Sequence, residues 1–265
     1  MGNIFKLVDN QSEFLKACGN GELDMVASSD IDIRMNNNLP MVLACENGHL
    51  HVIEWFNSNG IDIGTEIEIR QEAFRNACKY GHLHIIEWIW NLESYEINLQ
   101  EAFQIACENG HLPIVRWLYN KSVELNSPIN IHAENEYVFQ CACWESHLPV
   151  VKWLYDKSVE LGSPINIHVE KDSVFEMACY YKSFKIVKWL YNKSVELENP
   201  IAINDYVFES SRQVALFFLK KENVVNVKLT TPLLKIWNAG IHAVQITRKN
   251  PHLFPILNEN IVKYI

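Results

Sequence analysis

A 14-residue stretch, ACENGHLPIVRWLY from Ala106, recurs along the chain and leaves little freedom in what the chain can fold into. It returns as ACENGHLHVIEWF from Ala44, ACKYGHLHIIEWIW from Ala77, ACWESHLPVVKWLY from Ala142 and ACYYKSFKIVKWLY from Ala178. A reduced copy, ACGNGELDMVASS, begins at Ala17. Self-similarity at a spacing of 27 to 36 residues is the mark of a stacked repeat architecture.

With the alanine as reference, a large apolar residue sits three positions earlier: Phe14, Met41, Phe74, Phe103, Phe139 and Phe175. Leucine or phenylalanine follows at the sixth position, valine or isoleucine at the ninth, and tryptophan (Trp55, Trp88, Trp117, Trp153, Trp189) at the eleventh. Apolar residues three and four apart predict a helix in each half of the unit. Gly48-His49, Gly81-His82 and Gly110-His111 separate the halves. Glycine there can adopt the left-handed conformation that ends a helix. Pro113 and Pro149 fall where a second helix begins, a position that tolerates the missing N–H. The expectation is an all-α solenoid of helix-turn-helix units, in which each helix buries its apolar stripe only by stacking on a neighbour.

This pattern resembles the ankyrin repeat, a turn and two helices with the signature T-P-L-H-x-A followed by G-H. Leu39-Pro40-Met41-Val42-Leu43-Ala44, then Gly48-His49, carries the likeness, as does Thr231-Pro232-Leu233-Leu234, then Gly240. The central copies lack the Thr-Pro pair. The cysteine- and tryptophan-rich form of the repeat is similar to the ankyrin arrays of giant viruses that infect amoebae. The resemblance covers nearly the whole chain and implies one ankyrin domain over 1–265, of about seven to eight units. Residues 1–30 would cap one end and the degenerate residues 201–265 the other. Near-identical inserts, Lys121–Pro128, Lys157–Pro164 and Lys193–Pro200, predict second helices longer by about a turn, with the proline ending each. Ile31-Asp32-Ile33 and its equivalents alternate apolar and polar residues and suit short extended finger loops.

Several function classes recede on chemistry. Six of the seven cysteines occupy the slot after the reference alanine, where a free thiol behaves as a small core hydrophobe. The Cys–His pairs four apart lack the C-x2-C partner of a zinc site, so no metal or other cofactor is expected. The repeated histidine is instead expected to bond backbone in the inter-helix turn. No nucleophile–base pair, phosphate-binding glycine loop or spaced carboxylate pair marks an enzyme. The net charge is −9, divided into +6 beyond Ser210 and −15 before it, so an acidic array argues against nucleic acid as ligand. No apolar run is long enough to span a membrane, and Met1–Asn10 has no signal-peptide core, so an intracellular monomer, in the cytoplasm of a host cell, is expected.

In ankyrin proteins a concave face, made from finger tips and the exposed side of each first helix, binds partner proteins. In this chain the resemblance points to the two residues after each Ala-Cys: Glu46 and Asn47, Lys79 and Tyr80, Glu108 and Asn109, Trp144 and Glu145, Tyr180 and Tyr181. These vary from copy to copy while the core slots stay constant. The expected function is a non-catalytic interaction scaffold. An alternative rests on the tail Leu253–Ile265, whose Pro255-x-x-x-Glu259 resembles the start of an F-box; in poxviral ankyrin proteins such a segment recruits a cullin ubiquitin ligase. A capping helix is the simpler reading of the same residues.

Overall fold

The computed structural model describes residues 2–92, 97–204 and 227–228. They form two compact blocks, 1–130 and 131–265. The first block holds four helix pairs: α1 Gly2–Asn20 with α2 Leu23–Ala27, α3 Met35–Glu46 with α4 Leu50–Ser58, α5 Ile67–Tyr80 with α6 Leu83–Trp90, and α7 Leu99–Glu108 with α8 Leu112–Glu124. Among the described residues of the second are two: α9 Ala133–Trp144 with α10 Leu148–Glu160, and α11 Val169–Tyr180 with α12 Phe184–Glu196. A two-residue parallel pairing joins β1 Ile203–Asn204 to β2 Val227–Lys228. The seventh unit from Phe208, the Thr231 match and the tail Leu253–Ile265 lie outside the described residues.

Every first helix ends on its reference alanine in the same way. The carbonyls of Ala17, Ala44, Ala77, Ala106, Ala142 and Ala178 each accept the N–H five residues on, at 2.8 to 3.0 Å. This six-to-one bond requires a left-handed residue just before the donor. Gly21, Gly48, Gly81 and Gly110 supply it, with φ between 75° and 89°.

The histidine that follows this glycine acts across repeats. Nε2–H of His49 donates to the Gly19 carbonyl at 2.9 Å, that of His82 to Glu46 at 2.8 Å, and that of His111 to Lys79 at 2.8 Å. The histidine does bond backbone, as its repetition implied, but the backbone belongs to the preceding repeat. Its ring then covers that repeat's glycine. A Cβ on Gly48 would meet the His82 ring at 2.7 Å, and one on Gly81 the His111 ring at 2.7 Å. Within the second block the glycine slot holds Ser146, at φ 66°, and the next repeat's histidine slot holds Ser183. The two hydroxyls bond to each other. Once the first position carries a Cβ, the ring above it gives way to a smaller polar side chain.

The core follows the sequence pattern. Phe14, Met41, Phe74, Phe103, Phe139 and Phe175 are buried with all six reference alanines and their cysteines. The tryptophans at the eleventh position are half-buried, and Trp117 meets Trp90 edge-on at 5.4 Å as Trp189 meets Tyr155 at 5.5 Å. These contacts agree with their reading as packing residues.

The inserts do lengthen the second helices: α8, α10 and α12 have 13 residues against 9 in α4 and 8 in α6. Proline does not end them. Each stops at Glu124, Glu160 or Glu196, and a left-handed residue (Asn126, Gly162 or Glu198) closes the end. Ser127 N–H then reaches back to the Ser122 carbonyl at 3.0 Å, with the same bond from Ser163 to Ser158 and from Asn199 to Ser194. The same serines are fully buried and tie helix to finger. Ser158 Oγ donates to the Tyr155 carbonyl at 2.6 Å and accepts the Ile165 N–H at 2.9 Å. Ser122 and Ser194 repeat this latch with Ile129 and Ile201.

Three fingers bury their alternate isoleucines as the alternation implied, at Ile61 and Ile63, Ile129 and Ile131, and Ile165 and Ile167, while Ile31, Ile33, Ile97 and Leu99 are half-buried. Three of the fingers are not simply extended. Asn36–Asn38, Glu134–Glu136 and Glu170–Asp172 each make one left-handed turn ahead of the right-handed helix. Such backbone costs roughly 1–2 kcal/mol per residue outside glycine. Side chains offset that cost locally: His132 Nδ1 lies 2.9 Å from Glu136, and His168 Nδ1 lies 2.6 Å from Asp172. In the finger at Ile61–Glu66, which makes no such turn, Arg70 is buried and donates to the Gly64 carbonyl at 2.7 Å.

Two outcomes test this frame. Gly48→Ser destabilises the protein by at least about 1 kcal/mol in urea titrations, and adding His82→Ser recovers part of the loss. Additive losses would show that the two positions are not coupled. Arg34 also grips Glu66 with two hydrogen bonds, of 2.8 and 2.6 Å, which hold the Glu66 carboxyl below its usual value. The stability this contributes is present above the ordinary glutamate pKa of about 4.3 and is lost as pH falls through the lower folded-state value. Arg34→Gln therefore lowers the urea midpoint at neutral pH and by less near pH 2; an equal effect at both would contradict the assignment.

Candidate protein-binding face

The lock between successive turns fixes where the next side chains point. The reference alanine and its cysteine face the core, so the two residues after them emerge at the end of the first helix. In the first block this places Glu46, Lys79, Tyr80 and Glu108 on that side. Lys79 and Tyr80 are exposed, while Glu46 and Glu108 are half-buried. Tyr80 Oη–H donates to Glu46 Oε1 of the preceding repeat at 3.0 Å, and Lys79 Nζ sits 5.2 Å from the Tyr80 ring centre. An anion, a ring and a cation thus form one chain across two repeats. On the same side, Leu15, Lys16, Gly19, Leu43 and Asn47 line a depression of about 370 Å³ between α1 and α3.

In the second block Tyr180 is 61% and Tyr181 54% exposed, and their rings meet edge-on at 5.2 Å. Glu145 is exposed. Trp144 differs from the tyrosines. It is half-buried, and its indole nitrogen is shielded from solvent with no hydrogen-bond partner. Packing against protein therefore takes up much of the ring that its position had suggested as a free anchor.

Acidic residues on the same face were not singled out by the reading of motifs. Glu134 and Glu170 stand exposed at the finger turns, joined through Asn135, whose Nδ2 donates to Glu170 Oε1 at 3.4 Å. Glu176 is exposed one helical turn before Tyr180. Counting charge separately for the two halves of each repeat would have found them.

The cysteines and the described turn histidines are committed to structure. All seven thiols are buried. Burial pushes Cys18 up to about 12 and raises Cys45, Cys78 and Cys143 as well. A thiol so raised is neither a nucleophile nor a ready metal ligand near neutral pH. Among the described residues no three His, Cys, Asp or Glu side chains are grouped to hold a metal. Among the same residues no helix is long and apolar enough to cross a membrane.

Stacked helix-turn-helix repeats with an interlocked turn and a variable first-helix face define a repeat array of helix pairs. A family model that describes three consecutive ankyrin repeats matches this chain at residues 41–128 and again at the overlapping 74–167. The chain is an ankyrin-repeat protein, and ankyrin repeats are protein–protein interaction modules. Among curated proteins, none matches this sequence.

The thiol environment gives a direct check. A colourless-to-yellow disulfide reagent at pH 8 should leave the seven cysteines of the native chain unreacted on the timescale of minutes and titrate all of them in denaturant. Fast reaction of even one in the native state would contradict their burial.

Proposed function

We propose that the protein is a non-catalytic scaffold that grips a partner protein with the finger and first-helix face of its repeats. One observation carries the reading. Tyr180 and Tyr181 present two large aromatic rings to solvent at positions where the repeat needs neither for its core. Exposed tyrosine supplies contact area with little entropy to lose and is over-represented among residues that dominate interfaces. Tyr80, 39% exposed at the position equivalent to Tyr181, extends the same chemistry to the first block. The ligase-adaptor alternative depends on Leu253–Ile265, outside the described residues, and no described contact favours it.

Affinity capture from the native cell should recover a stoichiometric partner with the wild type. Tyr180→Ala with Tyr181→Ala should reduce its recovery at least tenfold, while circular dichroism and the thermal midpoint stay unchanged, because both rings lie outside the core. Undiminished recovery by the folded double variant would overturn the assignment of this face.

A further inference from the structure

The two blocks treat their aromatic positions differently. Tyr80 has its own cation, since Lys79 Nζ lies 5.2 Å from the ring centre, and its own anion in Glu46. Tyr180 and Tyr181 touch each other, and among the described residues no cation lies over either ring.

The charge around them is polarised. The first-helix stretches Ala133–Glu145 and Val169–Lys182 carry six carboxylates against two lysines. The second helices α10 and α12 carry five lysines against three carboxylates. Helix α9 packs on α11, so the acidic residues of both repeats share one side of this block. Glu136 and Asp172 are occupied by His132 and His168, but Glu134, Glu145, Glu170 and Glu176 are exposed. Exposed tyrosine faces attract cations, arginine above all, and carboxylates at the edge accept the remaining guanidinium N–H groups.

Resting on the binding-face reading above, we propose that the Tyr180–Tyr181 face takes an arginine- or lysine-rich segment of the partner protein. The partner supplies over these rings the cation that Lys79 supplies internally over Tyr80. Glu134, Glu145, Glu170 and Glu176 fix the segment along the fingers and the ends of the first helices. The same charge pattern disfavours acidic and phosphate-bearing ligands on this face.

The test is selection of random 12-residue peptides displayed on phage against the full-length chain, with counter-selection on its Tyr180→Ala, Tyr181→Ala variant. The expected pool is rich in arginine and lysine. A synthetic peptide from it should bind the wild type, lose at least tenfold in affinity in the double-alanine variant, and keep affinity within about threefold in Tyr180→Phe, Tyr181→Phe, because the ring faces remain. Its affinity should fall at least tenfold between 50 and 500 mM NaCl. A pool that depends on the two tyrosines but is acidic or apolar would overturn the basic-segment proposal and leave the binding face standing. Failure to enrich any tyrosine-dependent peptide would overturn both.

Discussion

A histidine ring seated on the glycine of the preceding repeat is the contact on which this array depends. It acts twice. The imidazole Nε2–H satisfies a carbonyl at the end of the previous first helix, which a helix terminus otherwise leaves unpaired. The ring also fills the space that a Cβ would need, so the slot beneath it must be glycine where the ring is present. That glycine already has to be left-handed to close its own helix onto the reference alanine. One residue type therefore meets a local and a neighbour-to-neighbour demand together. The Ser146–Ser183 contact shows the dependence from the other side, because both positions differ together and a hydroxyl pair replaces the ring. In a quasi-one-dimensional array such nearest-neighbour terms carry much of the stability.

With alanine, cysteine, glycine and histidine fixed by packing, the two positions between cysteine and histidine's glycine are left to vary. They hold Glu46, Lys79 and Tyr80, Glu108, Glu145, or the Tyr180–Tyr181 pair on the same structural frame. The described cysteines and turn histidines are occupied by burial and backbone bonds. The surface of residues 131–203 presents exposed rings, carboxylates on the first-helix side and lysines on the second-helix side.

Much of the fold was legible in the sequence because it repeats. The spacing of Phe103, Ala106, Leu112, Val115 and Trp117 gives helix, turn and helix, and the periodic cysteine slot identifies the thiols as core groups. Three features were harder to read. The left-handed turns at Glu134–Glu136 and Glu170–Asp172 contain no glycine and depend on histidine–carboxylate contacts that no short-range pattern announces. The helix ends after the inserts look governed by Pro128 and Pro164, yet Asn126 and Gly162 end them by conformation two residues earlier. Ser158 looks like a surface residue of an amphipathic helix, but its hydroxyl serves two backbone groups at once inside the core. For the proposed binding face, the place of each side chain in the repeat was legible in the sequence and its environment was not. Tyr180 and Trp144 occupy the same slot of successive repeats, but one is exposed and the other half-buried with its indole nitrogen shielded.

The most direct test of the account is photo-crosslinking in the native cell, with benzoylphenylalanine placed either at Tyr180, on the first-helix face, or at Lys188, exposed on α12. A defined adduct from position 180 and none from position 188 is the predicted result. Adducts from position 188 with none from position 180 would place the partner on the second helices and contradict the division between a constant scaffold and a variable binding face.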